Sequence, residues 1–134
     1  MKESELQSKI IKAIKARYGE HVDITNNHGA AMAKAGTPDI HLCLFGLFVA
    51  IEVKMPRHRT SRGNWRSAGT LTPLQSVRLK RQDAALACTG TAYSVTDALA
   101  ICADAFRETR LVAIHYARQL YDQKGGNDNG SGTV

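Results

Sequence analysis

The sequence predicts a single α/β domain, of the α+β kind, in which helices cover a small mixed sheet. At 134 residues the chain has the length of one ordinary domain, and 43% of its residues are hydrophobic, which suffices to bury a core. Segments with helical and strand periodicity follow one another in the order helix, three strands, helix, strand, helix. The first strands lie too close together for crossover connections, whereas the last strand flanks a helix, so a mixed sheet is expected.

The chain is predicted to begin with a helix and a short strand. Apolar residues recur at helical spacing from about Glu3 to Tyr18, and Gly19 is a stop signal. The next segment, 21–25, has the alternating pattern of a strand. A stretch of small residues bracketed by glycines, 26–36, follows it and is expected to be a loop.

Two apolar segments, Pro38 to Leu44 and Leu47 to Lys54, are predicted to form an antiparallel hairpin. Phe45 and Gly46 separate them, and Gly46 is the natural place for an unusual backbone conformation. The turn sets the register of the two strands. A slip of one residue would send every side chain of one strand to the other face.

The C-terminal half is predicted to begin with an exposed basic loop at 55–69, because this stretch has no periodicity. Thr72 as N-cap and Pro73 at the first helical position start a helix that runs to about Cys88, with Gly90 ending it. The remaining elements are a strand at 91–95, a helix at 96–108, a helix at 110–123 and a disordered tail at 124–134.

The overall composition indicates a partner and a compartment. The formal net charge of +6 and a pI near 9.5 favour a polyanionic partner. No apolar run is long enough to span a bilayer, and the N-terminus lacks the pattern of a signal peptide, so an intracellular, cytoplasmic protein is expected. The three cysteines, Cys43, Cys88 and Cys102, are far apart in apolar stretches, which favours small core residues over disulfides or a zinc site.

Three charged residues, Asp39, Glu52 and Lys54, interrupt the apolar hairpin. Reflection about the turn places Asp39 opposite Glu52, and Lys54 returns to the same face two residues later. Opposed carboxylates repel each other unless something offsets their charge, and Mg²⁺ or Mn²⁺ would do so. The cluster indicates either a phosphoryl-transfer site, with Lys54 assisting the attacking water or the developing charge, or a solvated surface triad of little energetic value.

Four motifs that follow one another in this sequence resemble one nuclease family. They are "E..LQ..I" at Glu3, Leu6, Gln7 and Ile10, "GTPD" at 36–39, "IEVK" at 51–54 and "LTPLQ" at 71–75. Together they resemble the VRR-NUC branch, the virus-type replication-repair nucleases of the PD-(D/E)XK superfamily. The resemblance covers about residues 3–106, within a single expected domain of 1–123, and implies a restriction-endonuclease-like core.

The resemblance also implies roles for individual residues. Asp39 and Glu52, with the backbone carbonyl of Val53, would bind the catalytic Mg²⁺ or Mn²⁺, and Lys54 would be the catalytic lysine. Gln75 resembles a glutamine that this branch places near its active site.

Two of the implied roles have alternatives in the residues themselves. Gln75 also forms a capping box with Thr72, and this alone would explain it. The acid that helix one contributes to the metal site is expected to be Glu3, whose stripe points inward. Glu5 is the fallback, because it shares its stripe with lysines and suits a solvated ion pair.

The basic loop is expected either to contact DNA or to be a solvated charge run. Guanidinium groups bind phosphates, and an aromatic ring stacks on a base. The residues with this expected role are Arg57, Arg59, Arg62, Trp65 and Arg66.

The resemblance implies a metal-dependent DNA endonuclease. Stand-alone phage members of the branch are similar to Holliday junction resolvases, so a homodimer that cuts branched DNA is expected, from a phage or prophage. The alternatives are a nuclease that acts on linear duplex or flap DNA, and a non-catalytic nucleic-acid-binding module of the same fold.

Overall fold

The computed structural model describes residues 1–29 and 33–132, with side chains described as far as residue 123, and within these residues the chain forms four α-helices and six β-strands. A short 3₁₀ helix, Gly19–His21, follows the first α-helix. The elements are α1 (Glu3–Tyr18), β1 (Val22–Asn26), β2 (Ile40–Leu44), β3 (Leu47–Val53), β4 (His58–Arg59), β5 (Trp65–Arg66), α2 (Pro73–Ala84), β6 (Cys88–Ala92), α3 (Val95–Asp104) and α4 (Glu108–Gly132).

The main sheet is mixed, as the sequence predicts. Its strand order is β1-β2-β3-β6, with antiparallel pairing from β1 to β3 and parallel pairing of β3 with β6. The parallel pair needs a crossover, which α2 supplies. The coarse fold class, a mixed α/β arrangement of helices on a mixed sheet, is therefore confirmed.

The β2–β3 hairpin turns at Phe45 and Gly46, which confirms the predicted register. Both turn residues have positive φ, 51° for Phe45 and 80° for Gly46, as a two-residue type I′ turn requires. Leu44 pairs with Leu47 and Ile40 with Ile51. A non-glycine residue at positive φ is uncommon, and the Phe45 ring is held by stacking on His21 at 4.6 Å between centroids.

One face of the sheet is wholly apolar and is covered by α1 and α3. Strand β3 directs Val49, Ile51 and Val53 toward this face, and all three side chains are fully buried. Gly90 of β6 lies on this face because a Cβ there would approach Ile101 of α3 to 2.5 Å. The helices complete the core with Leu6, Ile10, Ile14, Ala98, Cys102 and Ala105.

The opposite face carries polar residues and is covered by α2 over part of its width. Gln75 of α2 contacts Glu52 of β3, and Gln82 contacts His41 of β2. Cys43 also points to this face and is exposed, which corrects its predicted place in the core. The reason is that α2 packs on β3 and β6 and leaves this part of β2 open.

The end of α2 and the start of β6 also differ from prediction. The helix ends at Ala84 rather than near Cys88, because Leu86 adopts φ 68°. The amide of Ala87 donates to the carbonyl of Gln82 at 2.9 Å, which closes the helix in the way glycine usually does. The predicted strand at 91–95 begins earlier, at Cys88, and Gly90 lies within it rather than ending a helix.

The predicted basic loop contains a small second sheet. Strands β4 and β5 pair antiparallel, with His58 opposite Arg66 and Arg59 opposite Trp65. We call the segment from Arg57 to Arg66 the arginine ribbon. Its two-residue strands are too short to show a hydrophobic alternation in the sequence.

The last helix, α4, extends to Gly132 rather than to residue 123. The predicted disordered tail, 124–134, overlaps this helix as far as Gly132, and residues 133 and 134 lie outside the described residues. Across residues 1–29 and 33–132, every helix is too short or too polar to span a bilayer.

Candidate active site

The carboxylates of Asp39 and Glu52 meet at the open end of the β2–β3 hairpin, as the register predicts. Asp39 precedes β2, and its Oδ2 accepts a hydrogen bond from the backbone amide of Val53 at 2.9 Å. This bond holds the Asp39 side chain against β3, next to Glu52. Glu52 is 2% exposed, so one member of the pair is almost completely removed from water.

The segment that carries Asp39 is fixed from two sides. Gly36 has φ 82°, and a Cβ there would lie 2.7 Å from the backbone oxygen of Leu74 in α2, so glycine permits this close approach. On the other side, the amide of Asn27 donates to the carbonyl of Asp39 at 2.7 Å, and Asn27 Nδ2 donates to that of Pro38 at 3.0 Å. Asn27 is a positioning residue that the sequence did not reveal.

Glu52 has unequal surroundings at its two oxygens. Its Oε1 accepts a hydrogen bond from Gln75 Nε2 at 2.7 Å and lies 3.7 Å from Lys54 Nζ. Its Oε2 is buried and has no hydrogen-bond donor among the described residues. Burial first, and the neighbouring Asp39 carboxylate second, raise the pKa of Glu52 to about 8, although Lys54 opposes the shift.

The donor set fits a divalent cation. Asp39 and Glu52 are both acceptors, so a hydrogen bond between them requires a proton on one, whereas a cation satisfies both oxygens. No group of three or more His, Cys, Asp or Glu side chains that could hold a metal forms within residues 1–29 and 33–132. Two carboxylates, completed by a backbone carbonyl such as that of Val53 and by waters, would suit Mg²⁺ or Mn²⁺.

Lys54 lies on the same face as Glu52, as predicted, with its side chain 13% exposed. Its stem packs against Gly69, where an added Cβ would be 3.3 Å from the lysine Cβ and Cδ. Gly69 is fixed in turn, because its amide donates to Met55 at 2.9 Å and its carbonyl accepts from Tyr93 Oη at 3.0 Å. The ammonium group is therefore held beside the carboxylates by a packed stem.

Both alternatives for Gln75 hold at once. Its Oε1 accepts from the backbone amide of Thr72 at 2.9 Å, and its own amide donates to Thr72 Oγ1 at 3.2 Å, which is a capping box. Its Nε2 donates to Glu52. The cap orients the Gln75 side chain, so the same residue caps the start of the helix and supports the carboxylate.

Helix α1 brings Gln7, rather than either predicted acid, toward Asp39. Gln7 is 2% exposed, and its Nε2 lies 3.4 Å from His28 Nδ1, which is 3.8 Å from Asp39 Oδ1. Glu5 accepts from the backbone amide of Lys2 at 3.1 Å and is exposed. Glu3 is half-buried and makes no hydrogen bond or ion pair with another described residue, so its role at a metal site stays a prediction.

A partly buried amide and imidazole network supports the site from the polar face. Asn27 Nδ2 donates to His41 Nδ1 at 3.1 Å, so the proton of a neutral His41 lies on Nε2, 3.1 Å from the side-chain amide of Gln82. Gln82 Oε1 lacks a partner among the described residues, and rotating this amide by 180° makes that oxygen the acceptor. Burial, and then Arg78, lower the pKa of His41 and so favour its neutral form.

The arginine ribbon projects directly after Lys54. The guanidinium carbons of Arg57 and Arg59 lie 4.6 and 5.5 Å from the centroid of the Trp65 ring. Trp65 is 57% exposed, and Arg62 and Arg66 are exposed as well. The ribbon therefore places the predicted DNA-binding residues on one small element that begins three residues after Lys54.

Comparisons of this chain with models of protein families, with curated proteins and with solved structures find no match.

Proposed function

We propose that this chain is a metal-dependent DNA endonuclease with a restriction-endonuclease-like core of the VRR-NUC type. The observation that carries the proposal is the buried Glu52 carboxylate, with one oxygen lacking a donor, next to Asp39 and 3.7 Å from Lys54. A pair of acids buried in this way costs stability. A binding module would gain nothing from two buried acids, whereas a hydrolase would use them to hold its cation.

Each residue of the site has a distinct task in the proposed reaction. Asp39 and Glu52, with the carbonyl of Val53, would hold Mg²⁺ or Mn²⁺, which supplies charge neutralisation at the scissile phosphate and promotes deprotonation of water. Lys54 donates hydrogen bonds to the attacking water or to the phosphate oxygens as negative charge develops. Gln75 orients the Glu52 carboxylate through Oε1 and leaves Oε2 free.

The substrate is proposed to be branched DNA, in line with the resemblance to junction resolvases. The net charge of +6 and the exposed arginine ribbon support a polyanionic partner. A four-way junction has two symmetry-related strands to cut, so we propose that the chain acts as a homodimer with C2 symmetry.

The test is cleavage of four-way, flap and linear duplex DNA of matched sequence, each with Mg²⁺ and with Mn²⁺. The four-way junction should be cut fastest, and Asp39→Ala should abolish cleavage without reducing junction affinity. Equal cutting of the three substrates would contradict the preference for branched DNA and leave the nuclease. Metal-independent binding without any cleavage by the unmutated chain would favour the non-catalytic module.

A further inference from the structure

The arginine ribbon belongs to the most one-sided stretch of charge in the chain. From Val53 to Gln82 the sequence has eight basic residues and no Asp or Glu. The basic residues are Lys54, Arg57, Arg59, Arg62, Arg66, Arg78, Lys80 and Arg81. Such a basic surface attracts nucleic acid of any sequence. Charge therefore does not indicate which part of the nucleic acid is contacted, and the shape of the arginine ribbon has to do so.

The ribbon has the shape of a short, closed two-stranded hairpin. At its tip the amide of Thr60 donates to the carbonyl of Asn64 at 2.7 Å, and the amide of Gly63 donates to the carbonyl of Thr60 at 2.9 Å. At its base the amide of Gly69 donates to the carbonyl of Met55. Because both ends are tied by backbone bonds, the ribbon presents its side chains from a defined scaffold.

The two faces of the ribbon carry different side chains. Arg59 pairs with Trp65 across the strands, and Arg57 lies two residues before Arg59, so these three residues share one face. His58 and Arg66 form the other pair. The first face is the one on which guanidinium groups lie over the indole ring.

Contact with the indole ring prepares the two guanidinium groups for recognition. A ring beneath a guanidinium restricts the arginine rotamers and attracts the cation, while the N–H donors remain at the edge of the guanidinium plane. Less conformational entropy is then lost when the group binds a planar acceptor pair. The O6 and N7 atoms of guanine in the major groove are such a pair.

The position of the ribbon is compatible with a groove next to the cleaved bond. Arg59 is five residues from Lys54, a reach of at most about 17 Å for extended chain. The major groove of B-DNA is about 12 Å wide and about 8.5 Å deep and admits a two-stranded ribbon. A ribbon rooted at Lys54 is therefore long enough to reach base edges in a groove that borders a phosphate bound at Lys54.

We propose that the β4–β5 ribbon enters the major groove of a duplex arm, where Arg57 and Arg59, supported by Trp65, donate hydrogen bonds to guanine O6 and N7. This inference rests on the proposed nuclease function for the placement of the DNA. It adds a preference for guanine near the cleavage position, which phosphate contacts alone do not create.

The test compares three duplexes of one sequence in binding to the Asp39→Asn chain, which keeps the DNA uncut. One duplex has guanine, one has 7-deazaguanine, which lacks the N7 acceptor, and one has hypoxanthine, which lacks the amino group in the minor groove. The deaza duplex should bind about tenfold more weakly, and the hypoxanthine duplex should bind like the guanine duplex.

A matched pair of substitutions assigns the effect to the ribbon. The double substitution of Arg57→Lys and Arg59→Lys keeps the charge but loses both forks of donors, so it should remove most of the difference between guanine and 7-deazaguanine. Arg107→Lys is the control, because Arg107 is an exposed arginine paired with Asp104 at 2.7 Å, outside the ribbon, and it should leave the difference unchanged.

The outcomes separate this inference from the proposed function. Equal affinity for guanine and 7-deazaguanine duplexes, or a loss with hypoxanthine instead, would overturn the ribbon assignment even if the unmutated chain cuts DNA. Affinity that depends on N7 in a chain that cuts no DNA with either metal would support the ribbon and overturn the nuclease.

Discussion

The two faces of the main sheet are built from alternate residues of the same strands and have opposite effects on stability. Toward α1 and α3, Val49, Ile51 and Val53 are fully buried among apolar side chains. Toward α2, Glu52 is also buried, but beside a second carboxylate and with an oxygen that no described residue satisfies. One face therefore supplies stability, and the other uses part of that stability to keep a pair of carboxylates largely out of water.

The largest effect is expected from a substitution that changes only the polar face. Asp39→Asn should reduce DNA cleavage by roughly a thousandfold, because losing a cation ligand removes several kcal/mol of transition-state stabilisation. The melting temperature without metal should stay the same or rise above pH 8, where both carboxylates are ionised, since one of two repelling charges is then gone. Cleavage rates and thermal denaturation in EDTA measure the two effects, and a large loss of stability would contradict the division between the faces.

The matching change on the apolar face is Ile51→Ala, at the residue before Glu52. It should lower the free energy of unfolding by about 3 kcal/mol, because it leaves a cavity among fully buried side chains. Cleavage per folded molecule should change little at a temperature well below the transition. Denaturant unfolding and single-turnover cleavage provide the readouts, and a thousandfold loss of activity in folded protein would show that the faces are not separable.

A smaller effect is expected in α2, where Gln75 both caps the helix and contacts Glu52. Thr72→Ala and Gln75→Ala each break the capping box and should each cost about 1 kcal/mol of stability. Only Gln75→Ala also removes the donor to Glu52, so only it should weaken Mg²⁺ binding, by about tenfold. Calorimetric titration of metal compares the pair, and equal metal affinity in both variants would exclude a supporting role for Gln75.

The last expected effect is spread over several pH units and comes from the protonation of Glu52. Its folded-state pKa of about 8 lies above the usual value of 4.5, so its contribution to stability is complete at low pH and is lost as the pH rises toward 8. In EDTA the slope should reach about 1.4 kcal/mol per pH unit. Glu52→Gln should remove this part of the pH dependence in denaturant titrations between pH 5 and 9, and an unchanged slope would refute the assignment.

The sequence predicts the features that depend on local patterns. Helix α1 has the predicted bounds, because an apolar stripe and Gly19 define both its face and its end. The register of the hairpin follows from the position of Gly46, and that register alone brings Asp39 and Glu52 together. Lys54 then follows from the two-residue period of a strand.

The sequence does not reveal features that depend on contacts between distant segments. The end of α2 uses Leu86 at positive φ, where a pattern search expects glycine. Position 90 is occupied by glycine because the Ile101 side chain packs against its backbone. The chain does not turn there. The contact between Asn27 and the segment that carries Asp39 appears only in the fold. The same holds for the contact of Gln7 with His28, whose ring lies close to Asp39.

The two-residue turn at Phe45 and Gly46 also bears on the order of folding events. Asp39 and Glu52 are thirteen residues apart, and both belong to a hairpin of the kind that closes in about 1–10 µs. Contacts with α1 and β6 span longer loops, which cost more entropy to close. We therefore expect the two acids to meet early, before burial raises the pKa of Glu52. Refolding at alkaline pH would then encounter their repulsion at a late step, when the helices exclude water from the pair.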